Sequence, residues 1–466
     1  MTMRAIGLAL CLALSACATA GLDYRPPEHA AANLPAATGP FDAARGPSFS
    51  AEEAPDAWWR LYDDPRLDGL VTQALAANAD LRAADANLTR AEAVLREVAA
   101  GRTLSTSIGG GASLDRPSQL GGSLPGVVGY SLGLSLAYPL DVRGQISRAI
   151  EASEGDRQAV LAARDSARAT VAASVVRAYA NVCGANYSLA VNARVTAVQR
   201  DTLAATRRLA QGGRGTAFDV SRAEAALRNS EAALPAFAAQ RDAALYALAA
   251  LLGRPAADYP REVAACATLP RLNRALPAGD GAGLIRRRPD IRAAERTIAA
   301  DTARIGVEVA DLYPQVSLGG SVGLDGPVSR LGSGSSFGFS LGPLISWSFP
   351  NRPVVRARIA QAEAQVQGDL ARFDATVLGA LRDAETALAT YARDRERLDA
   401  LIQARDSAQL STEQAGRLFR FGRSDFLSLL DAQRTLADSE ALRTSAEVQL
   451  VDDEVRVFEA LGGGWQ

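Results

Sequence analysis

The stretch Tyr130-Ser131-Leu132-Gly133-Leu134-Ser135-Leu136-Ala137-Tyr138-Pro139-Leu140 decides the fold. Its even positions are all Tyr or Leu, and its odd positions are Ser, Gly, Ala or Pro. Period-two alternation gives an extended strand one apolar face and one small-residue face. Phe337–Phe349 repeats the pattern, with Phe, Phe, Leu, Pro, Ile, Trp and Phe at its odd positions. Leu104–Leu114 and Val316–Leu324 alternate more weakly, with glycine on the apolar face. Each run has about ten residues, near the ~9–11 that cross a bilayer as a tilted strand. Tyr138 and Trp347 stand near one strand end, where an interfacial aromatic belt forms. The hairpin tips, Asp115–Gly129 and Asp325–Ser336, are rich in Gly, Pro and Ser. Soluble sandwiches also alternate, but this small-residue face cannot fill a second core layer.

A sheet in hydrocarbon must close, because an open edge leaves backbone groups unpaired. One copy of this chain supplies only the four strands above. Doubled, such strands give a barrel whose interior is filled by side chains, whereas a tripled set leaves room for water. The expected fold class is therefore an α+β membrane protein. Three protomers together build its transmembrane β-barrel, which continues into a long α-helical periplasmic barrel.

The helices follow from uninterrupted Ala/Arg-rich sequence. Neither Gln145–Gln211 nor Val354–Phe421 contains proline. Roughly 66 residues at ~1.5 Å each reach ~100 Å, and a helix that long must pack along its length. Return helices are expected over about Phe218–Leu252 and Phe426–Leu461, with a kink at Leu234-Pro235. Small residues lie on more than one face, which suits a helix with neighbours on two sides.

The body is one unit written twice. Asp80-Leu81-Arg82-Ala83-Ala84 returns as Asp290-Ile291-Arg292-Ala293-Ala294, an offset of 210. Gly213-Arg214 returns as Gly422-Arg423, and Ala223 as Ala432, at an offset of 209. The first repeat spans 66–275, with strands near 102–114 and 129–140 and helices near 145–211 and 216–252. The second spans 276–466, with strands near 314–324 and 337–349 and helices near 354–421 and 425–461.

Composition narrows the function. Of 466 residues, 48% are apolar and 22% charged, with a net charge of −2. That is too apolar for a disordered chain and too balanced for a nucleic-acid binder. His29 is the only histidine, both methionines lie in the leader, and all 50 cationic side chains are arginine. No phosphate loop, nucleophile elbow, paired-Cys motif or His-metal pattern is present, so no enzyme, cofactor or metal site is expected.

Arg4 precedes an apolar run from Ala5 to Ala13, then Leu14-Ser15-Ala16-Cys17. This reads as a signal peptide over 1–16 that ends in a bacterial lipobox. Cleavage leaves a lipidated tail over 17–65, with diacylglycerol and an N-acyl chain on Cys17. Residue 18 is Ala and not Asp, which favours the outer membrane. Cys11 leaves with the leader. Cys183 and Cys266 remain, either as a disulfide in an oxidising compartment or as two buried thiols.

Several motifs, in order, resemble the TolC/OprM-type outer-membrane efflux proteins, in their NodT-like lipoprotein branch. They are Leu14–Cys17 with Asp23-Tyr24-Arg25-Pro26-Pro27, Trp58-Trp59 with Asp63-Asp64-Pro65-Arg66-Leu67, and Asn78-Ala79-Asp80-Leu81. Arg287-Arg288-Pro289-Asp290-Ile291-Arg292, Phe421-Gly422-Arg423-Ser424-Asp425-Phe426-Leu427 and the closing Leu461-Gly462-Gly463-Gly464-Trp465 complete the series. The chain departs from the pattern at Leu104, opposite Pro314, and at Pro350-Asn351-Arg352-Pro353. The resemblance implies a homotrimer in the outer membrane of a diderm bacterium, partnered by a periplasmic adaptor and an inner-membrane RND pump. It also implies that the turns at Gly213-Arg214 and Gly422-Arg423 dock the adaptor, and that Leu427, Asp431 and Arg434 form a closed periplasmic gate. Spacing alone puts the gate residues on one helical face. Asp219 and Asp425 follow the turns as candidate helix caps. The rival readings are a duct for a type I protein-secretion system and a structural envelope lipoprotein without an open state.

Overall fold

The structure, a computed structural model, describes residues 19–26, 28–115, 118–119, 122–123 and 126–464. The leader and Cys17 lie outside the described residues. Helices α1 (Pro65–Ala77) and α2 (Ala79–Ala100) lead to strands β1 (Ser105–Asp115) and β2 (Val127–Leu140). Helices α3 (Gln145–Gln211) and α4 (Ala217–Leu251) follow, then α5 (Gly281–Arg287) and α6 (Pro289–Ala310). The chain closes with β3 (Gln315–Pro327), β4 (Phe337–Ser346), α7 (Arg352–Arg420) and α8 (Phe426–Ala460). Lengths recur: 22 residues in α2 and α6, 67 in α3 against 69 in α7, and 35 in both α4 and α8.

Two compact units arise, and neither is a half of the repeat. One comprises Met1–Glu28, Asn87–Leu161 and Ala293–Phe373; the other comprises His29–Ala86, Ala162–Arg292 and Asp374–Gln466. The repeat boundary is therefore one of sequence and not of compactness.

The first unit holds an antiparallel sheet in the order β1-β2-β3-β4. Its register aligns like residues in rows across all four strands. Ser107, Ser135, Ser321 and Ser340 form one such row, and Gly109, Gly133, Gly323 and Gly338 another. On the opposite face Ile108, Leu134, Val322 and Phe339 are cross-strand neighbours. Ile108 and Phe339 are each 79% exposed, far more apolar surface than a water-facing sheet carries. Among the described residues, the outer edges of β1 and β4 have no partner strand.

Strand ends differ from the sequence expectation. β1 begins at Ser105, because Gly101, Arg102 and Thr103 continue α2 as a turn, their N–H groups donating to Val98, Ala99 and Ala100. β4 stops at Ser346, so Trp347 and Phe349 leave the ladder and pack ring to ring at 5.1 Å. β3 runs on to Pro327. α4 passes unbroken through Pro235, and α7 starts at Arg352 because Pro353 in its first turn lacks an N–H that would have no partner there.

In the second unit, residues 29–64 pack as part of the body and not as a tail. Trp58 is wholly buried and stacks on Phe458 at 4.7 Å. Phe49-Ser50 pairs in parallel with Leu276-Pro277. The Arg pair clamps these ends: Arg287 donates to Asp56 and the Ala54 carbonyl, and Arg288 to Asp290 and the Ala460 carbonyl. Cys183 of α3 is bonded to Cys266, with Cα atoms 4.8 Å apart, which ties the segment after α4 back onto α3.

Candidate functional site

The two helix–helix turns are built alike. Gly213 takes φ +72° and Gly422 φ +67°, the left-handed conformation that ends a helix. Arg214 N–H donates to the Leu209 carbonyl at 2.9 Å and Gly213 N–H to Ala210 at 3.1 Å. Arg423 and Gly422 repeat both bonds, to Leu418 at 2.9 Å and Phe419 at 3.0 Å. These paired bonds satisfy the last carbonyls of α3 and α7. A Cβ on either glycine would meet nothing within 4 Å, so backbone angle alone demands glycine and the turn surfaces stay open. Phe218 and Phe421 stand exposed beside them.

The return helices start from caps at equivalent positions. Thr216 caps α4 in a reciprocal box: its hydroxyl accepts from Asp219 N–H at 3.1 Å, and Thr216 N–H donates to Asp219 at 3.0 Å. Asp219 is thus the third-position partner and not the cap. Asp425 is itself the cap of α8, accepting from Ser428 N–H at 2.9 Å. The hydrogen bonds from Thr216 and Ser428 hold these two carboxyls below the usual range.

Above the turns, Phe426, Leu429 and Gln433 form the buried face of α8. Phe426 joins Leu203, Ala223 and Leu227 in one apolar cluster, and the Gln433 amide donates to Thr202 at 2.8 Å. Leu427, Asp431 and Arg434 lie on the other face, exposed. They line a cavity of about 870 Å³ with Asn192 and Gln199 of α3 and Arg222 and Asn229 of α4. Among the described residues, neither Asp431 nor Arg434 has an ion-pair partner within the chain. Arg222 was missed in the sequence, yet the repeat could have found it. The offset of 209 maps Leu427, Asp431 and Arg434 onto Phe218, Arg222 and Ala225.

A buried acidic group sits farther along α8. Glu454 is 5% exposed and accepts from the Tyr62 hydroxyl at 3.0 Å; burial pushes its carboxyl up to about 8. Burial, with Asp394 beside it, raises its neighbour Asp453 to about 6. Among the described residues no His/Cys/Asp/Glu group is placed to hold a metal ion, and no helix is long and apolar enough to cross a membrane.

The family model described as "outer membrane efflux protein" matches residues 70–254 and 283–463, so it covers both repeats. The chain is 30% identical to the outer membrane protein OprJ of Pseudomonas aeruginosa, over 98% of this chain and 95% of the relative. It is 29% identical to nodulation protein T of Rhizobium leguminosarum bv. trifolii, over 97% and 96%. The solved outer-membrane channel OprN superposes with a TM-score of 0.88 at 35% identity, over 96% of this chain and 99% of that one. The chain belongs to the outer membrane efflux protein family. Its function is that of an outer-membrane efflux channel, the outer component of an efflux pump.

Proposed function

We propose that three copies of the chain close their sheets into one twelve-strand barrel, continued by their helices into a periplasmic tube that is gated at the α3–α4 and α7–α8 end. The observation that carries this reading is the open sheet: four strands with an exposed apolar face and, among the described residues, two unpaired outer edges. Neighbouring copies supply the partner strands, the apolar face meets lipid, and the serine and glycine rows line a wet, uncharged bore.

Among the described residues, Asp431 and Arg434 have no ion-pair partner, so each is free to pair with a neighbouring copy. Threefold symmetry turns Leu427, Asp431 and Arg434 into rings, and paired charge rings narrow and lock a pore. A periplasmic adaptor docks on the open surfaces of Gly213-Arg214 and Gly422-Arg423, and its docking relaxes the rings. An inner-membrane RND pump provides the energy, and the duct itself catalyses no step. Lipid on Cys17 anchors each copy in the outer membrane.

Replacing Asp431 and Arg434 together by Ala tests the gate. The expected result is a higher single-channel conductance in planar bilayers; unchanged conductance refutes the assignment. A detergent-solubilised sample that stays a closed single protomer refutes the assembly.

A further inference from the structure

A second cavity, of about 250 Å³, opens between α3, α7 and α8 next to the cavity lined by Leu427, Asp431 and Arg434; Val195, Gln199 and Ala437 line both. Its floor is apolar, formed by Val191, Val195 and Leu436. Among the described residues, two buried polar atoms that line it lack a hydrogen-bond partner, and one arginine at it lacks a carboxylate. Gln199 is 5% exposed, and its Oε1 is buried with no donor. Arg443 Nε is buried with no acceptor, although the rest of that guanidinium is held by Glu440, Glu447 and Tyr187. Arg194, exposed at the rim, has no carboxylate partner among the described residues and donates only to the Ala190 carbonyl at 3.3 Å. Arg405, by contrast, is neutralised by Glu440 at 2.7 Å and Asp406 at 2.8 Å.

Buried polar groups in native structures are paired, so an orphan acceptor and an orphan donor in one cavity call for an occupant. A hydroxyl both donates and accepts, and it serves the Gln199 amide in either orientation. Among the described residues that line it, Arg194 is the cation without a carboxylate, and it is exposed. A cavity of ~150 Å³ accommodates benzene, so this larger space has room for one ring and two small substituents.

We infer that this cavity is a binding site for a small hydroxylated aromatic acid: ring on the valine–leucine floor, hydroxyl at Gln199, carboxylate at Arg194. The site belongs to the helical wall and does not depend on how the gate works.

The test is binding of 4-hydroxybenzoate to the detergent-solubilised full chain, read by saturation-transfer NMR and calorimetry. The expected result is saturable binding in the millimolar range or tighter, weaker for benzoate, which lacks the hydroxyl. Gln199→Leu, which removes the hydroxyl's partner, weakens binding about tenfold. Arg194→Gln weakens the acid but leaves 4-hydroxybenzyl alcohol unchanged, a split that mere structural damage does not produce. Ala437→Trp fills the space and abolishes binding; if it fails to fold, the other two variants decide. Absence of saturable binding assigns the orphan groups to water and overturns the site. Equal affinity in Gln199→Leu and Arg194→Gln overturns it too.

Discussion

Glu454→Gln should stabilise this protein at alkaline pH and leave it nearly unchanged in acid. Glu454 is buried, accepts a hydrogen bond from Tyr62, and ionises near pH 8 where an ordinary glutamate does so at 4.5. Below pH 4.5 it is protonated in both folded and unfolded chains, so its burial carries no ionisation penalty. Between pH 4.5 and 8 the unfolded chain releases the proton and the folded chain keeps it, so folded stability falls as pH rises. The full span corresponds to roughly 5 kcal/mol. Glutamine is nearly the same shape, keeps an oxygen for the Tyr62 hydroxyl and does not titrate. At pH 8 the variant should therefore exceed the parent by about 3–5 kcal/mol, the lower figure allowing for a weaker hydrogen bond. The readout is the midpoint of helical circular-dichroism melts or urea unfolding in detergent, at pH 4.5 and pH 8. Asp453 titrates in both proteins, so the difference between them isolates Glu454. Parallel pH profiles for parent and variant refute the reasoning.

Four other outcomes follow from the geometry. A Cβ at Gly323 would stand 2.8 Å from the Leu132 carbonyl oxygen, whereas one at Gly338 meets nothing within 4 Å; Gly323→Ala should lower the yield of assembled channel on native gels and Gly338→Ala should not. Cys266→Ser opens a bond that spans 83 residues and should cost about 2–5 kcal/mol, read as a lower melting temperature. Gly422→Ala forces a side chain into the left-handed conformation and should cost about 1–2 kcal/mol in the same melts, although open space surrounds it. Arg222→Ala removes a cation that faces the gate cavity and should raise bilayer conductance toward that of the Asp431→Ala, Arg434→Ala pair.

The strands were legible because period-two alternation is local and Tyr130–Leu140 carries it almost without exception. The long helices were legible because nothing in Gln145–Gln211 interrupts them, and the turns because the Gly-Arg pairs recur at a fixed offset. The strand ends were not, since whether Thr103 continues a helix or Trp347 stays in a ladder depends on neighbours outside the pattern. The N-terminal segment was harder still. Trp58 and Tyr62 are fixed by Phe458 and Glu454, almost 400 positions away, with |i−j| of 392 for the Tyr62–Glu454 bond. No local period signals that a glutamate on an Ala/Val/Leu helix will be enclosed. Of the proposed gate, spacing along α8 puts Leu427, Asp431 and Arg434 on one face, but nothing local ties them to Arg222; the two helices meet at one cavity only when α4 and α8 pack.

At the level of Asp431 the duplicated halves have reversed sign: the first carries Arg222 and the second an aspartate. Six identical half-length chains around an axis would put the same charge at every such place and repel one another. Fusing two diverged halves escapes that frustration. In the proposed threefold assembly, Arg222 and Asp431 would instead alternate in sign around the axis within a single gene product.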